Sequence, residues 1–232
     1  MTVWVRPGLK QEQFAVESAT LDLIFEAHHR ALADEVIVSS AAGSVISRPD
    51  MMGEAHWRGR NIQIITHASS INGVFPLYDS LYLETKAGSI DADLTPHEGL
   101  NGLETEALLT LRASAGSIHA NTPVLESVES GIRNTTLASI PKRDYKTNNL
   151  ARAGKVDLKL IHGSHTTIQT SAGPINAELT LWLDPLKQSK ITAESSAEPI
   201  DITVRDAIAY RNQPLRHLSG DYQFATGSLT LR

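Results

Sequence analysis

Asn72, Asp91, His119, Asp157, Asn176 and Asp201 occupy the same place in six short phrases of similar wording, among them "KAGSIDADL", "SAGSIHANT" and "SAGPINAEL". Carboxylates and amides that recur in register could do two kinds of chemistry. If the phrases stack, their oxygens could hold a hard cation such as Ca²⁺, which takes about six to eight oxygen ligands. They could instead line a groove for an extended glycan or a protein surface. The plainer use is solvation, because a polar residue beside a turn faces water and hydrogen-bonds local backbone. Acid–base catalysis has one candidate pair, Asp91 and Asp93, which stand two apart and so on one face of a strand, with Asp157 or Arg112 as helper. Two carboxylates so placed are more often solubilising charge, and no catalytic residue is assigned.

Other chemistries find less support. His28 and His29 are adjacent, and His162 and His165 are three apart, but no HExxH motif or distal partner completes a metal site, so these histidines read as surface residues. The chain has no cysteine, which removes disulfides, Cys-type zinc sites and a thiolate nucleophile. No G-x-S-x-G elbow, GxGxxG or phosphate loop is present. Asn134 opens an "NTT" sequon. Trp4, Trp57 and Trp182 could stack on sugars, but packing in the core is the more usual role, and Trp4 could cap the start of a stack.

The elements that must position these residues are written in the repeat. Nine copies can be anchored at Ala19, Gly43, Ser69, Gly88, Gly116, Gly154, Gly173, Glu198 and Gly227. The residue before each anchor is small. Two residues after it come Leu21, Val45, Ile71, Ile90, Ile118, Val156, Ile175, Ile200 and Leu229, all branched aliphatics. The next position holds Asp22, Ile46, the six polar residues above, and Thr230. Around the anchors apolar residues alternate with period two, as in Leu81 and Leu83 or Ile175, Ala177 and Leu179, which predicts half-buried strands. The nearest approach to a helix is "LIFEAHHRALADEV" at 23–36, whose 3.6 period is loose. Each unit therefore reads as strand, Ala-Gly corner, strand and variable loop, with glycine at the corner for a tight bend or a positive φ.

One such unit exposes an apolar row and two strand edges, which identical neighbours would bury and pair. The fold expected is all-β, a single-stranded β-solenoid or β-helix-like stack of about seven to nine coils. An antiparallel β-sandwich of hairpins is the alternative, although "KAGSI" lacks the usual Asn-Gly or Asp-Gly turn. Residues 1–232 read as one β-repeat domain with a polar insertion at about 124–150, the best candidate for a functional excursion.

At "LETKAGSIDADL", "LRASAGSIHANT" and "IQTSAGPINAEL" the chain resembles adhesin-type β-repeat families of bacteria and similar fungal domains of unknown function. Their repeat is strand, Ser/Thr-x-x-Gly-x-Ile/Val, strand. The resemblance implies a stacked β-structure, usually with no assigned enzymatic activity, and fold does not carry function by itself.

Composition narrows the classes further. A chain of 232 residues, 41% hydrophobic and 20% charged, is long enough for a sizeable core and has a soluble globular balance. A net charge of −5 argues against a nucleic-acid partner, and no apolar run approaches a membrane span. The N-terminal stretch lacks the pattern of a secretory signal, and the compartment stays open. The expectation is a non-enzymatic, adhesin-like surface, scaffold or binding module without a cofactor, Ca²⁺ aside. The alternatives are a carbohydrate-active enzyme on the same framework and a spacer segment of a larger anchored protein.

Overall fold

A computed structural model describes residues 10–26, 31–49, 57–99, 106–122, 140–182, 189–205, 220–224 and 228–231. Among them every regular element is a strand. The odd-numbered strands are β1 (Lys10–Ser18), β3 (Ala31–Ser40), β5 (Trp57–Thr66), β7 (Ser80–Thr85), β9 (Ala107–Ala113), β11 (Tyr145–Ala151), β13 (His165–Thr170), β15 (Ser189–Ser195) and β17 (Gly220–Phe224). The even-numbered strands are β2 (Leu23–Phe25), β4 (Val45–Ser47), β6 (Ile71–Leu77), β8 (Ile90–Pro96), β10 (Ile118–Asn121), β12 (Val156–His162), β14 (Ile175–Leu181), β16 (Ile200–Arg205) and β18 (Ser228–Leu231). The odd strands form one nine-stranded sheet, A, and the even strands a second nine-stranded sheet, B, each in simple numerical order. Among the described residues the chain thus alternates between sheets, one strand in each per coil, through nine coils.

All neighbours pair in parallel, for example β8 with β10 and β9 with β11. Consecutive hairpins would pair antiparallel, so the sandwich is excluded and the solenoid stands. The loosely helical stretch 23–36 supplies β2 and the start of β3, with 27–30 outside the described residues. Of the polar stretch 124–150, residues 124–139 lie outside the described residues, while Tyr145–Leu150 belong to β11 and to the stack.

Register explains the repeat. Val45, Ile71, Ile90, Ile118, Val156, Ile175 and Ile200 pair rung upon rung along sheet B. Each is no more than 1% exposed. Sheet A answers with Val38, Ile64, Leu83 and Leu111, also fully buried. Burying one such side chain is worth about 1.5–3 kcal/mol, so the facing ladders are the main source of cohesion. Two anchors need correction. Leu21 is 60% exposed, and Leu23 pairs with Val45 in its place, so the first corner lies two residues later than Ala19 implies. At the other end Leu229 pairs with Ile202 rather than Ile200, so Gly227 is likewise displaced by two. A slip of two keeps the strand face, which is why alternation alone could not detect it.

At Gly88 and Gly116 the corner glycine answers to stacking, while Gly154 also has a positive φ of 158°. A Cβ on Gly116 would sit 1.9 Å from the carbonyl oxygen of Gly88, and one on Gly88 would sit 2.4 Å from that of Ser69. Each corner packs its backbone directly onto the corner before it. The Ser/Thr three residues ahead of the corner has a matching duty. Thr85 Oγ1 donates to the Ser69 carbonyl at 2.8 Å, and Ser195 Oγ donates to the Gly173 carbonyl at 3.1 Å, satisfying backbone that leaves the ladder.

Candidate functional site

The six polar residues form one unbroken ladder. Asn72 pairs with Asp91, Asp91 with His119, His119 with Asp157, Asp157 with Asn176, and Asn176 with Asp201, along the outer face of sheet B. Strand alternation forces this, since each follows a buried aliphatic and must point the other way. Asp91, His119, Asn176 and Asp201 are exposed, while Asn72 and Asp157 are half-buried. Asp22 is not a member: its carboxylate accepts from the Ser44 N–H at 2.7 Å, and Ile24 takes its place beside Ile46.

Asp157 is the best-held member of this ladder. Lys155 Nζ lies 2.6 Å from one carboxylate oxygen, Asn176 Nδ2 donates to the other at 3.3 Å, and His119 Nδ1 stands 4.0 Å away. A second outward column runs alongside, Asp93, Asn121, Lys159, Glu178 and Thr203, with Asn121 Nδ2 donating to Asp93 at 3.5 Å. The face therefore carries both signs of charge. The proposed helpers of Asp91 and Asp93 are not beside them. Arg112 lies in β9 of sheet A, with its guanidinium carbon 5.7 Å from the centre of the Tyr82 ring, and Asp157 is two rungs from Asp91, roughly 10 Å. Among the described residues no group of three or more His, Asp or Glu side chains is gathered as a metal would require.

His162 is not the surface histidine that "IHGSH" implied. Its ring is fully buried between the sheets, at the end of β12. Nδ1 lies 2.7 Å from Thr166 Oγ1, Nε2 is bonded to Ser189 Oγ, and Thr147 Oγ1 lies 3.1 Å from Thr166 Oγ1. Three successive coils are thereby tied by a chain of hydroxyls through one imidazole. A neutral ring suits it, donating at one nitrogen and accepting at the other. Burial pushes the His162 pKa down to about 4, with Asp144 pulling it up and His165 pushing it further down. A Ser–His contact invites a nucleophilic reading. This imidazole is sealed from solvent and is too weak a base at neutral pH, so the relay is structural.

The sign of its pH dependence follows. With a folded pKa near 4 and an ordinary value of 6.5, the unfolded chain binds the proton more readily between those limits. Stability is complete above about pH 6.5 and is lost as pH falls towards 4, by on the order of 3 kcal/mol. Unfolding of the native chain and of His162→Gln, compared at pH 7 and pH 4.5, should show the steeper loss in the native chain.

The end of the polar stretch is pinned from within. The buried Arg143 guanidinium donates to the His97 carbonyl at 3.0 Å and the Glu106 carbonyl at 2.8 Å, and meets Asp79 at 3.3 Å, while Arg60 Nε takes the other Asp79 oxygen at 3.0 Å. Tyr145 is buried and donates to the Pro141 carbonyl at 3.0 Å, and burial raises its pKa. Trp182 is a core residue, 3% exposed, whose indole N–H donates to the same carbonyl at 3.1 Å. Trp4, His28, His29 and Asn134 lie outside the described residues, as does the Trp57 side chain. The inward polar residues of coils six to eight, Thr147, Thr166, His162 and Ser189, carried no sequence signal except a hydroxyl or imidazole at an inward position of the alternation. Among the described residues no helix is long and apolar enough to cross a membrane. Compared with family models, curated proteins and solved structures, the chain matches none.

Proposed function

We propose that this protein is a non-enzymatic scaffold or binding module, adhesin-like in construction, that holds an extended polar ligand along the outer face of sheet B. The observation that supports the reading is the six-rung ladder from Asn72 to Asp201, one hydrogen-bonding side chain per coil. Parallel strands repeat at about 4.8 Å, so an extended chain laid along the stack meets donors and acceptors at even intervals. A glycan is the ligand class that best fits such a shallow, mixed-charge face, and Ca²⁺ could bridge it to the exposed carboxylates. A sheet this regular is also stiff, so its side chains are preorganised and lose little freedom on binding.

A glycan array read with and without Ca²⁺ tests this. Binding by the native chain should fall at least tenfold in the triple variant Asp91→Ala, Asp157→Ala, Asp201→Ala, with the thermal midpoint little changed. Equal binding by both proteins, or no binding by either, would return the ladder to a merely solvated surface.

A further inference from the structure

We infer that the polar cluster buried in coils six to eight is a registry lock, which fixes the order in which coils stack rather than how strongly they stack. The core is otherwise poor at telling one coil from another. One inward column of sheet A runs Ile62, Leu81, Leu109, and the column beside it Ile64, Leu83, Leu111, all buried. Aliphatic contact is non-directional, so a coil seated one rung too early would find much the same surface. Both columns change character at coil six. Thr147 continues the first and Asn149 the second, each buried. Thr166 extends the polar run into coil seven, and Ile168 and Ile191 restore aliphatic side chains in coils seven and eight.

The cluster is satisfied in one stacking order. His162 comes from coil six, the Thr166 partner of its Nδ1 from coil seven and the Ser189 partner of its Nε2 from coil eight. If coil seven were seated on coil five, Thr166 would lie against Leu109, and both hydroxyls would lose the imidazole. If coil eight were seated on coil six, the imidazole would meet Ile191 in place of Thr166. Each slip buries polar atoms without partners, a cost that purely aliphatic columns would not impose. Asn149 shows specificity set against stability. It is fully buried, its Nδ2 reaches only the Thr167 carbonyl at 3.5 Å, and its Oδ1 has no hydrogen-bond partner among the described residues. Such a residue weakens the native stack, as a buried polar residue does where it specifies register in a coiled coil. The lock also stands where a slip is easiest. Residues 122–144 form the longest connection between successive strands, directly before coil six, and lengthening a long loop costs little entropy. Skipping coil six would only extend that connection. This inference is independent of any ligand on sheet B.

The absence of native cysteine lets the stacking order be read by cross-linking. Asn148 and Thr167 lie on adjacent rungs of the outer face of sheet A, about 4.8 Å apart and within disulfide reach. Thr110 and Thr167 are two rungs apart, roughly 10 Å and out of reach, unless coil six is skipped. The pairs Asn148→Cys with Thr167→Cys, and Thr110→Cys with Thr167→Cys, are placed in the full chain. Both are also placed in a chain carrying Thr147→Val, Asn149→Leu, His162→Leu, Thr166→Val and Ser189→Ala. Each protein is unfolded under reducing conditions, refolded and oxidised. With the native cluster only the adjacent pair should cross-link. Without it the bridge between positions 110 and 167 should form about tenfold more often, with a denaturant midpoint no lower than that of the native chain. Asn149→Leu alone should raise the midpoint. A bridge between 110 and 167 no more frequent than with the native cluster would overturn the lock. Loss of the fold in the fivefold variant, or a lower midpoint in either variant, would overturn it too, because the cluster would then be ordinary cohesion.

Discussion

Ile118→Asp should abolish the native fold at temperatures the unaltered chain withstands, while Asp91→Ala one rung away should leave the thermal midpoint nearly where it was. Ile118 has no exposure and lies between Ile90 and Val156 in the sheet B ladder. An aspartate there loses the transfer energy of the aliphatic side chain and buries a carboxyl with no partner. The two costs together come to roughly 4 kcal/mol or more, even if the carboxyl takes up a proton. The loss also propagates, because a coil in the middle of a stack supports the one on each side. Asp91 is exposed, and its removal should cost no more than about 0.5 kcal/mol. Denaturant midpoints of the two variants decide the matter, and similar values would mean that the inward column is wrongly assigned.

Gly116→Ala is the second large effect, and it looks harmless on paper. The added methyl would lie 1.9 Å from the Gly88 carbonyl oxygen and 2.5 Å from its carbon. Both are backbone atoms of a paired corner, with no side chain that could swing aside. Either the two coils separate locally or the corner loses its hydrogen bonds, for a cost of roughly 3 kcal/mol. Ala115→Ser is the control: its neighbour Ala115 is exposed, and the change should fall within about 0.5 kcal/mol. A melting temperature for Gly116→Ala equal to that of the control would show that the corners are not in contact.

The placement of the polar column was legible because outward and inward residues alternate on a strand. The ladder from Asn72 to Asp201 follows from counting one residue past each buried aliphatic, and parallel pairing sets all six in register. The same counting misplaced Leu21 and Leu229. At the two ends the corner is degenerate, and a two-residue slip conserves every inward and outward assignment. His162 was illegible for a different reason. A histidine is as common on a surface as in a core, and only the arrival of Thr166 and Ser189 from neighbouring strands shows that its nitrogens are satisfied. Arg143 has the same history, since its partners at Asp79, His97 and Glu106 are distant in the chain and each is ordinary by itself.

The amino-acid sequence by itself determined that this chain is built of repeated strand–corner–strand units, which residues of each unit face inward, and that a polar column runs along the outside. Period two and a recurrent corner are local properties, and locality is what a linear string records. Only the tertiary structure decided that the strands pair in parallel, where the terminal coils take their register, why the corners at Gly88 and Gly116 must be glycine, and that an imidazole is sealed among hydroxyls between the sheets. Each of these depends on atoms from different coils meeting at a few ångströms. The corner makes the difference plain: read alone, Gly116 permits a turn, but set against the carbonyl of Gly88 it is required by the space that a methyl group would fill.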